Sequence, residues 1–196
     1  EQVKSLTAGD AWLRRVDVDK LQQDIRSLSA ALPLPVGRLE EFDNCRDVWR
    51  ECQSWLEQGE VRRAAFNDAW TARMLDEYAD FFAHIESSPL NLSQARAVVN
   101  GESSLLVLAG AGSGKTSVLV ARAGWLLARG EASASHILLL AFGRKAAQEM
   151  DERIKHRLHT EEISARTFHA LALHIIAQGG RKVPQVSTLE SDTAAR

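Results

Sequence analysis

Residues 104–116 read Ser-Leu-Leu-Val-Leu-Ala-Gly-Ala-Gly-Ser-Gly-Lys-Thr. An apolar run passes into a glycine-rich turn that closes on Gly114-Lys115-Thr116. Such a run can hold a chain of phosphates. Gly110, Gly112 and Gly114 permit dihedrals that turn successive backbone N–H groups inward around phosphate oxygens, where a β-carbon would resist the bend and block the approach. Ala109, Ala111 and Ser113 lend their backbone to the same cradle. Lys115 supplies a point charge for the β- and γ-phosphates, and Thr116 a hydroxyl for Mg²⁺. The common form of the pattern begins with Gly; here Ala109 holds that place, as variants of the motif allow.

Three other segments carry side chains suited to a ligand. In Leu90-Asn-Leu-Ser-Gln-Ala-Arg96, Ser93 can cap a short helix. Gln94 there offers a primary amide, donor and acceptor together, that matches the N6/N7 edge of adenine. The plainer alternative is a surface glutamine beside a cap. In Leu139-Leu-Ala-Phe-Gly-Arg-Lys-Ala-Ala-Gln-Glu-Met150, Phe142 follows a strand, and Arg144 and Lys145 open a helix. An aromatic beside two cations at that edge suits single-stranded nucleic acid, a base stacking while phosphates meet the charge; otherwise Phe142 is core. In Ala165-Arg-Thr-Phe-His-Ala-Leu171, Thr167, Phe168 and His169 stand at a similar strand-to-helix junction. Thr167 and His169 there can donate to phosphate. The alternative makes Thr167 an N-cap and His169 a structural histidine. His169 and His174 are five apart and show no zinc-like spacing.

In order and spacing these four segments resemble the opening motifs of superfamily 1 DNA helicases of the UvrD/Rep type. Leu90–Gln94 is similar to the Q motif, Ala109–Thr116 to motif I, Ala141–Met150 to motif Ia and Thr167–Leu171 to motif Ib. The resemblance covers residues 90 to about 180. It implies an ATP-dependent helicase that moves 3′-to-5′ on single-stranded DNA, with ATP and Mg²⁺ as cofactors. Gln94 would contact adenine, Lys115 and Thr116 the phosphates and Mg²⁺. Phe142, Arg144, Lys145 and Thr167–His169 would contact the strand.

There are departures. The family's motif Ia usually reads Thr-Phe-Thr-Asn-Lys; here it is Ala141-Phe-Gly-Arg-Lys145. An arginine often follows Gly-Lys-Thr; here it is Ser117. No apolar run ending in Asp-Glu follows the loop. Asp151-Glu152 falls within a helix pattern, and Ser191-Asp192 follows no strand. The carboxylates that would hold Mg²⁺ and orient water are not found, nor are arginine fingers or a second motor domain. The expectation is a fragment that stops inside the first motor domain and is inactive alone. Two other readings stand beside it: a P-loop NTPase of another class, such as a nucleotide kinase or transport ATPase, and a non-catalytic helical interaction module with a vestigial nucleotide site.

The elements that must position these residues change character along the chain. Up to residue 88 the pattern is helical. Val18, Leu21, Ile25, Leu28 and Leu32 form one stripe, ended by Pro33 and Pro35. Phe42, Cys45, Trp49, Cys52 and Leu56 form another, closing near Gly59. Met74, Tyr78, Phe81 and Ile85 form a third, stopping before Pro89. A small bundle or long antiparallel pair is expected, with Trp49, Trp55 and Trp70 as core. Beyond Pro89 the period turns to strand, helix, strand, helix. Strands are expected at 104–109, 136–141 and 163–166, and helices at 115–129, 143–157 and 168–178. That alternation implies a parallel sheet. The fold class is therefore α/β: an all-helical region, 1–88, then part of a RecA-like P-loop domain, 89–196.

Composition narrows the class further. The 196 residues are 45% hydrophobic, enough for a packed core. No apolar run approaches the ~20 residues that span a bilayer, so no membrane partner is expected. No secretory signal precedes the first helix pattern, though the first residue is not Met. Cys45 and Cys52 share a helical face about two turns, ~10 Å, apart, too far for a disulfide. They read as small core residues of a reducing compartment, and a cytoplasmic location is expected. The net charge of −2 divides unevenly: residues 1–89 hold 11 basic and 17 acidic side chains, residues 90–196 hold 13 and 9. A basic second half fits a polyanionic partner.

Overall fold

A computed structural model describes residues 11–32 and 43–179. Pro33, Pro35, Phe42, Gly180 and Ser191-Asp192 fall outside them. The chain divides into two compact units, Glu1–Ala121 and Arg122–Arg196.

The first unit is helical. Helix α1, Arg15–Ala31, carries Asp17 in its first turn, where a carboxylate complements the helix dipole. Arg14 holds that carboxylate at 2.9 Å. Val18, Leu21 and Ile25 turn inward at helical spacing and pack with Leu13 and Trp55. Trp49, Cys52, Leu56 and Phe66 close over this cluster. Leu28 and Leu32 continue the stripe in sequence yet lie exposed, because the residues that form the core gather on Leu13–Ile25. Cys45, expected inside, is exposed as well.

Helix α2, Asp43–Glu77, is two helices joined across a kink, so the second stripe closes beside Gly59 as expected. It runs for 35 residues with a break at Gln58, where φ is −124° and ψ 18°. The break has identifiable partners. Gln22 Nε2 of α1 donates to the Trp55 carbonyl at 2.9 Å. A β-carbon on Gly59 would stand 2.6 Å from that same nitrogen, so a side chain there would have to push the Gln22 amide aside. Arg62 reaches back across the break to Glu51 at 2.6 and 3.2 Å and to Ser54 Oγ at 2.6 Å. Its guanidinium also lies 4.5 Å from the Trp55 ring centroid. The Arg62 hydrogen bond holds the Glu51 carboxyl below the usual carboxylate range. Trp55, Trp70 and Met74 are buried, as expected of core.

A second break shifts the third stripe by one position. Tyr78 leaves helical geometry with φ −110° and ψ 24°, and α3, Ala79–His84, then buries Phe82 in place of Phe81. Asn67, itself buried, receives the Leu13 N–H and donates to the Leu13 carbonyl, each at 2.9 Å. That reciprocal pair anchors the chain entering α1. Helix α4, Leu92–Val99, buries Ala95, Val98 and Val99 and packs on α2.

The expected strand at 104–109 is not formed. Residues 105–110 carry no regular structure, and Leu105, Leu106, Val107 and Leu108 are exposed, Leu108 by 86%. Backbone geometry alone does not make a strand; a neighbour must take its N–H and C=O groups. Among the described residues the paired strands are β1, Leu138–Ala141, and β2, Ser164–Thr167. Helix α5, Lys115–Ala128, begins in the first unit and ends in the second.

The second unit is a β-α-β-α run. A 3₁₀ turn at Ala134–His136 delays the strand expected from 136, so β1 starts at Leu138. Strands β1 and β2 are parallel, in register from Leu138↔Ser164 to Ala141↔Thr167. Helix α6, Arg144–Leu158, crosses between them and buries Ala147, Met150 and Ile154 on one stripe. His159 closes α6 in the left-handed region, φ 51°, its N–H on the Lys155 carbonyl. Helix α7, Phe168–Gln178, follows β2 directly and packs on it without burying any residue fully. Among the described residues no helix is long and apolar enough to cross a membrane.

Candidate phosphate site and strand-end surface

The glycine-rich loop takes the bend its residues predict. Gly112 and Gly114 adopt positive φ, 72° and 85°, a region that side chains with a β-carbon avoid. The Ser113 N–H and hydroxyl both turn back to the Gly110 carbonyl, at 3.4 and 2.8 Å. Helix α5 starts at Lys115, so the N–H groups of its first turn face the loop's mouth. Lys115 is exposed, and its Nζ donates to the Ala109 and Gly110 carbonyls at 3.1 and 2.6 Å. The ammonium thus sits over the curled backbone, in reach of anything the loop holds. Thr116, next on the helix, is half-buried.

Gln94 belongs to this loop by contact. Its Nε2 donates to the Ser113 carbonyl at 3.0 Å, and its Oε1 accepts the Asn91 N–H at 2.9 Å. Asn91 Oδ1 in turn accepts the Gln94 N–H at 3.0 Å, which completes a capping box. The cap of α4 is therefore Asn91 and not Ser93, which lies inside the helix. The Asn-x-x-Gln spacing carried that signal. A β-carbon on Gly114 would stand 2.5 Å from Gln94 Nε2. So Gly114 is required by its own φ, and a side chain there would also have to push the Gln94 amide aside. After these bonds the Gln94 amide still has one hydrogen and one lone pair to offer.

The strand-end surface lies in the second unit. Because Ala141 pairs with Thr167, the segments after β1 and β2 leave the same edge of the sheet. Phe142 is 97% exposed there, so it is not core. Phe168 and His169 are exposed too. Arg144 and Lys145 occupy the first turn of α6 with no acidic residue among them. Cations at a helix N-terminus oppose the dipole, so their presence needs a reason other than helix stability. Lys145 meets Glu149 only at 3.8 Å and stays 91% exposed. Thr167 behaves differently: it is buried, and its Oγ1 accepts the Ala170 N–H at 3.2 Å as the N-cap of α7. Sequence patterning did not single out Arg166, half-buried on β2 with Nε on Ser164 Oγ at 3.1 Å. Among the described residues no three or more His, Cys, Asp or Glu gather as a metal site. A divalent cation would be held by Thr116 and phosphate oxygens instead.

The family described as UvrD/REP helicase N-terminal domain matches residues 90–193. A second, described as DNA helicase IV / RNA helicase N terminal, matches residues 1–57. DNA helicase IV of Escherichia coli is 70% identical over 194 residues, covering 99% of this chain and 28% of that protein. A probable DNA helicase II homolog of Rickettsia conorii is 41% identical over 87 residues, 44% of this chain and 13% of its own length. The ATP-dependent DNA helicase PcrA of Staphylococcus aureus is 38% identical over 96 residues, 48% of this chain and 13% of its own. The chain thus spans well under a third of the length of these relatives.

Proposed function

The chain belongs to the UvrD/REP helicase family, and from that premise we propose that it carries the nucleotide cradle and part of the single-strand edge of an ATP-dependent DNA helicase. In this reading the parent protein translocates 3′-to-5′ on single-stranded DNA by hydrolysing ATP. A cytoplasmic location follows from that substrate. Residues 1–88 form a helical N-terminal region, and residues 89–196 the first part of a RecA-like motor domain. The observation that carries the reading is the loop itself: positive φ at Gly112 and Gly114, Lys115 over the backbone, and Gln94 bonded to Ser113.

Each residue has a part in it. The backbone from Ala109 to Gly114 wraps the phosphates, and the first turn of α5 adds its N–H groups. Lys115 leaves its two carbonyl partners to neutralise β- and γ-phosphate charge, and Thr116 ligates Mg²⁺. Held there, the ion would supply positive charge against the negative charge that develops on the phosphates. Gln94 reads adenine with its remaining hydrogen and lone pair. Phe142 stacks on a base, Arg144 and Lys145 hold backbone phosphates, and Phe168 and His169 extend that contact. Thr167 contributes by capping α7 and so fixing the turn. The Walker B carboxylates do not fall within residues 1–196, so this stretch binds nucleotide without turning it over. The test is ATPase activity with and without single-stranded DNA in a chain that contains both motor lobes. Stimulation by DNA, lost in Lys115→Ala, is expected. Turnover indifferent to DNA would favour another class of P-loop NTPase.

A further inference from the structure

The helical region does more than precede the phosphate loop; it grips the segment that leads to it. Glu102 lies a few residues after α4. Three donors converge on its carboxylate: Trp12 Nε1 at 3.1 Å, the Arg15 N–H at 3.3 Å, and an Arg63 guanidinium nitrogen. Trp12 and Arg15 belong to the entry of α1, Arg63 to α2. Both charged side chains are largely covered, Glu102 at 20% and Arg63 at 15% exposure, so this is not a loose surface pair. Gly101 beside it has no space for a side chain, because a β-carbon would stand 2.3 Å from Trp12 Cβ. The Glu102 N–H is in turn held by Asn100 Oδ1 at 2.9 Å, at the C-terminal end of α4.

Helix α4 therefore has both ends fixed. One end is bound to the helical region through Asn100 and Glu102. The other places Gln94 on the Ser113 carbonyl of the phosphate loop. Its length, about 12 Å for 8 residues at 1.5 Å each, separates the two attachments. Its buried face, Ala95, Val98 and Val99, leaves it little room to slide. A short rigid helix pinned at both ends passes a displacement on.

We propose that Glu102 is a positioning residue for the nucleotide site: it couples the helical region to the phosphate loop through α4 and Gln94. This rests on the reading of the loop as a nucleotide site. Anything that moves α1 relative to α2 then alters nucleotide affinity, and nucleotide binding acts back on the helical region with equal coupling.

The test is a double-mutant cycle on Mg-ADP affinity in this chain, measured well below every variant's melting temperature. Glu102→Gln keeps the volume and removes the charge. It should weaken binding roughly five-fold, about 1 kcal/mol at ~1.4 kcal/mol per decade. In a Gln94→Ala background the same substitution should have no further effect. Trp12→Phe, which removes one donor and keeps most of the packing, should weaken binding in the same direction, and it decides the matter if Glu102→Gln does not fold. Unchanged affinity in the folded variants, or an effect equally large without Gln94, overturns the coupling and leaves Glu102 a structural staple. Lys115→Ala separates the two claims: if it binds Mg-ADP like the unaltered chain, the reading of the loop has failed, and not the coupling alone.

Discussion

Large apolar side chains meet opposite ends in two regions of this molecule. In the helical region Trp55 is 1% exposed and Met74 0%. Around the loop and the sheet edge, Leu106 is 81% and Phe142 97% exposed. The polar groups follow the same division. Asn67, Glu51 and Glu102 each find partners within the helical region or at its border. Arg144 and Lys145 stand against a helix dipole that does not favour them. The first region spends its chemistry on its own architecture; the second holds it outward. The outward set is itself of two kinds. Leu105–Leu108 is a strand pattern that no strand among the described residues pairs with. Phe142 is a single aromatic beside cations at the end of a paired strand, an arrangement that burial elsewhere would not satisfy.

This contrast can be broken by substitution. Trp55→Ala should produce the largest loss of stability, about 3–5 kcal/mol, since it removes a fully buried aromatic. It also removes the Glu51 hydrogen bond and the surface under Arg62. Chemical denaturation read by circular dichroism would measure it, and a loss under 1 kcal/mol would mean the helical core is not as closed as its burial implies.

Lys115→Ala should leave stability without nucleotide nearly intact, because Lys115 is exposed. The stabilisation by nucleotide is what it should lose: about 2.7 kcal/mol at ~100 times the dissociation constant. A thermal melt in millimolar Mg-ATP checks this, with no upward shift expected in the variant.

Phe142→Ala sharpens the difference most directly. It should change folding stability by less than about 0.5 kcal/mol, yet cost about 1–3 kcal/mol in single-strand affinity. Arg144→Ala and Lys145→Ala should act more weakly, each lowering the salt slope of DNA binding by roughly one unit at most. Salt titrations of binding to an oligonucleotide, in a chain with both motor lobes, separate stacking from charge. If Phe142→Ala instead unfolds the protein, the side chain is packing and not recognition.

The sequence carried different parts of this picture with different clarity. The phosphate loop was legible because glycine spacing, lysine and hydroxyl are all local to one turn. Helix α6 was legible because its apolar positions keep one period, and β1 because it is a short apolar run between turn residues. The segment 105–108 was misread because a buried-strand pattern states only what a strand would need, while its formation depends on a neighbour remote in sequence. The shift from Phe81 to Phe82 was hidden because Tyr78 breaks the helix without glycine or proline to mark it. At the site, Gln94 was visible as an amide, but its bond to Ser113 spans nineteen positions. Glu102 had no signal at all: an isolated glutamate beside a glycine matches no pattern until Trp12, Arg15 and Arg63 converge on it.

The break at Gln58 has one more consequence, for alignment. Two helices joined by apolar stripes repeat their fit every turn, so a slip of about 5.4 Å would bury a similar set of side chains. Between α1 and α2 such a slip is not equivalent. The carbonyl of Trp55 meets Gln22 at one place along α1, and Gly59 makes room for that amide at the same place. The break works as a notch, and the pair has a single lengthwise setting where smooth helices would have several.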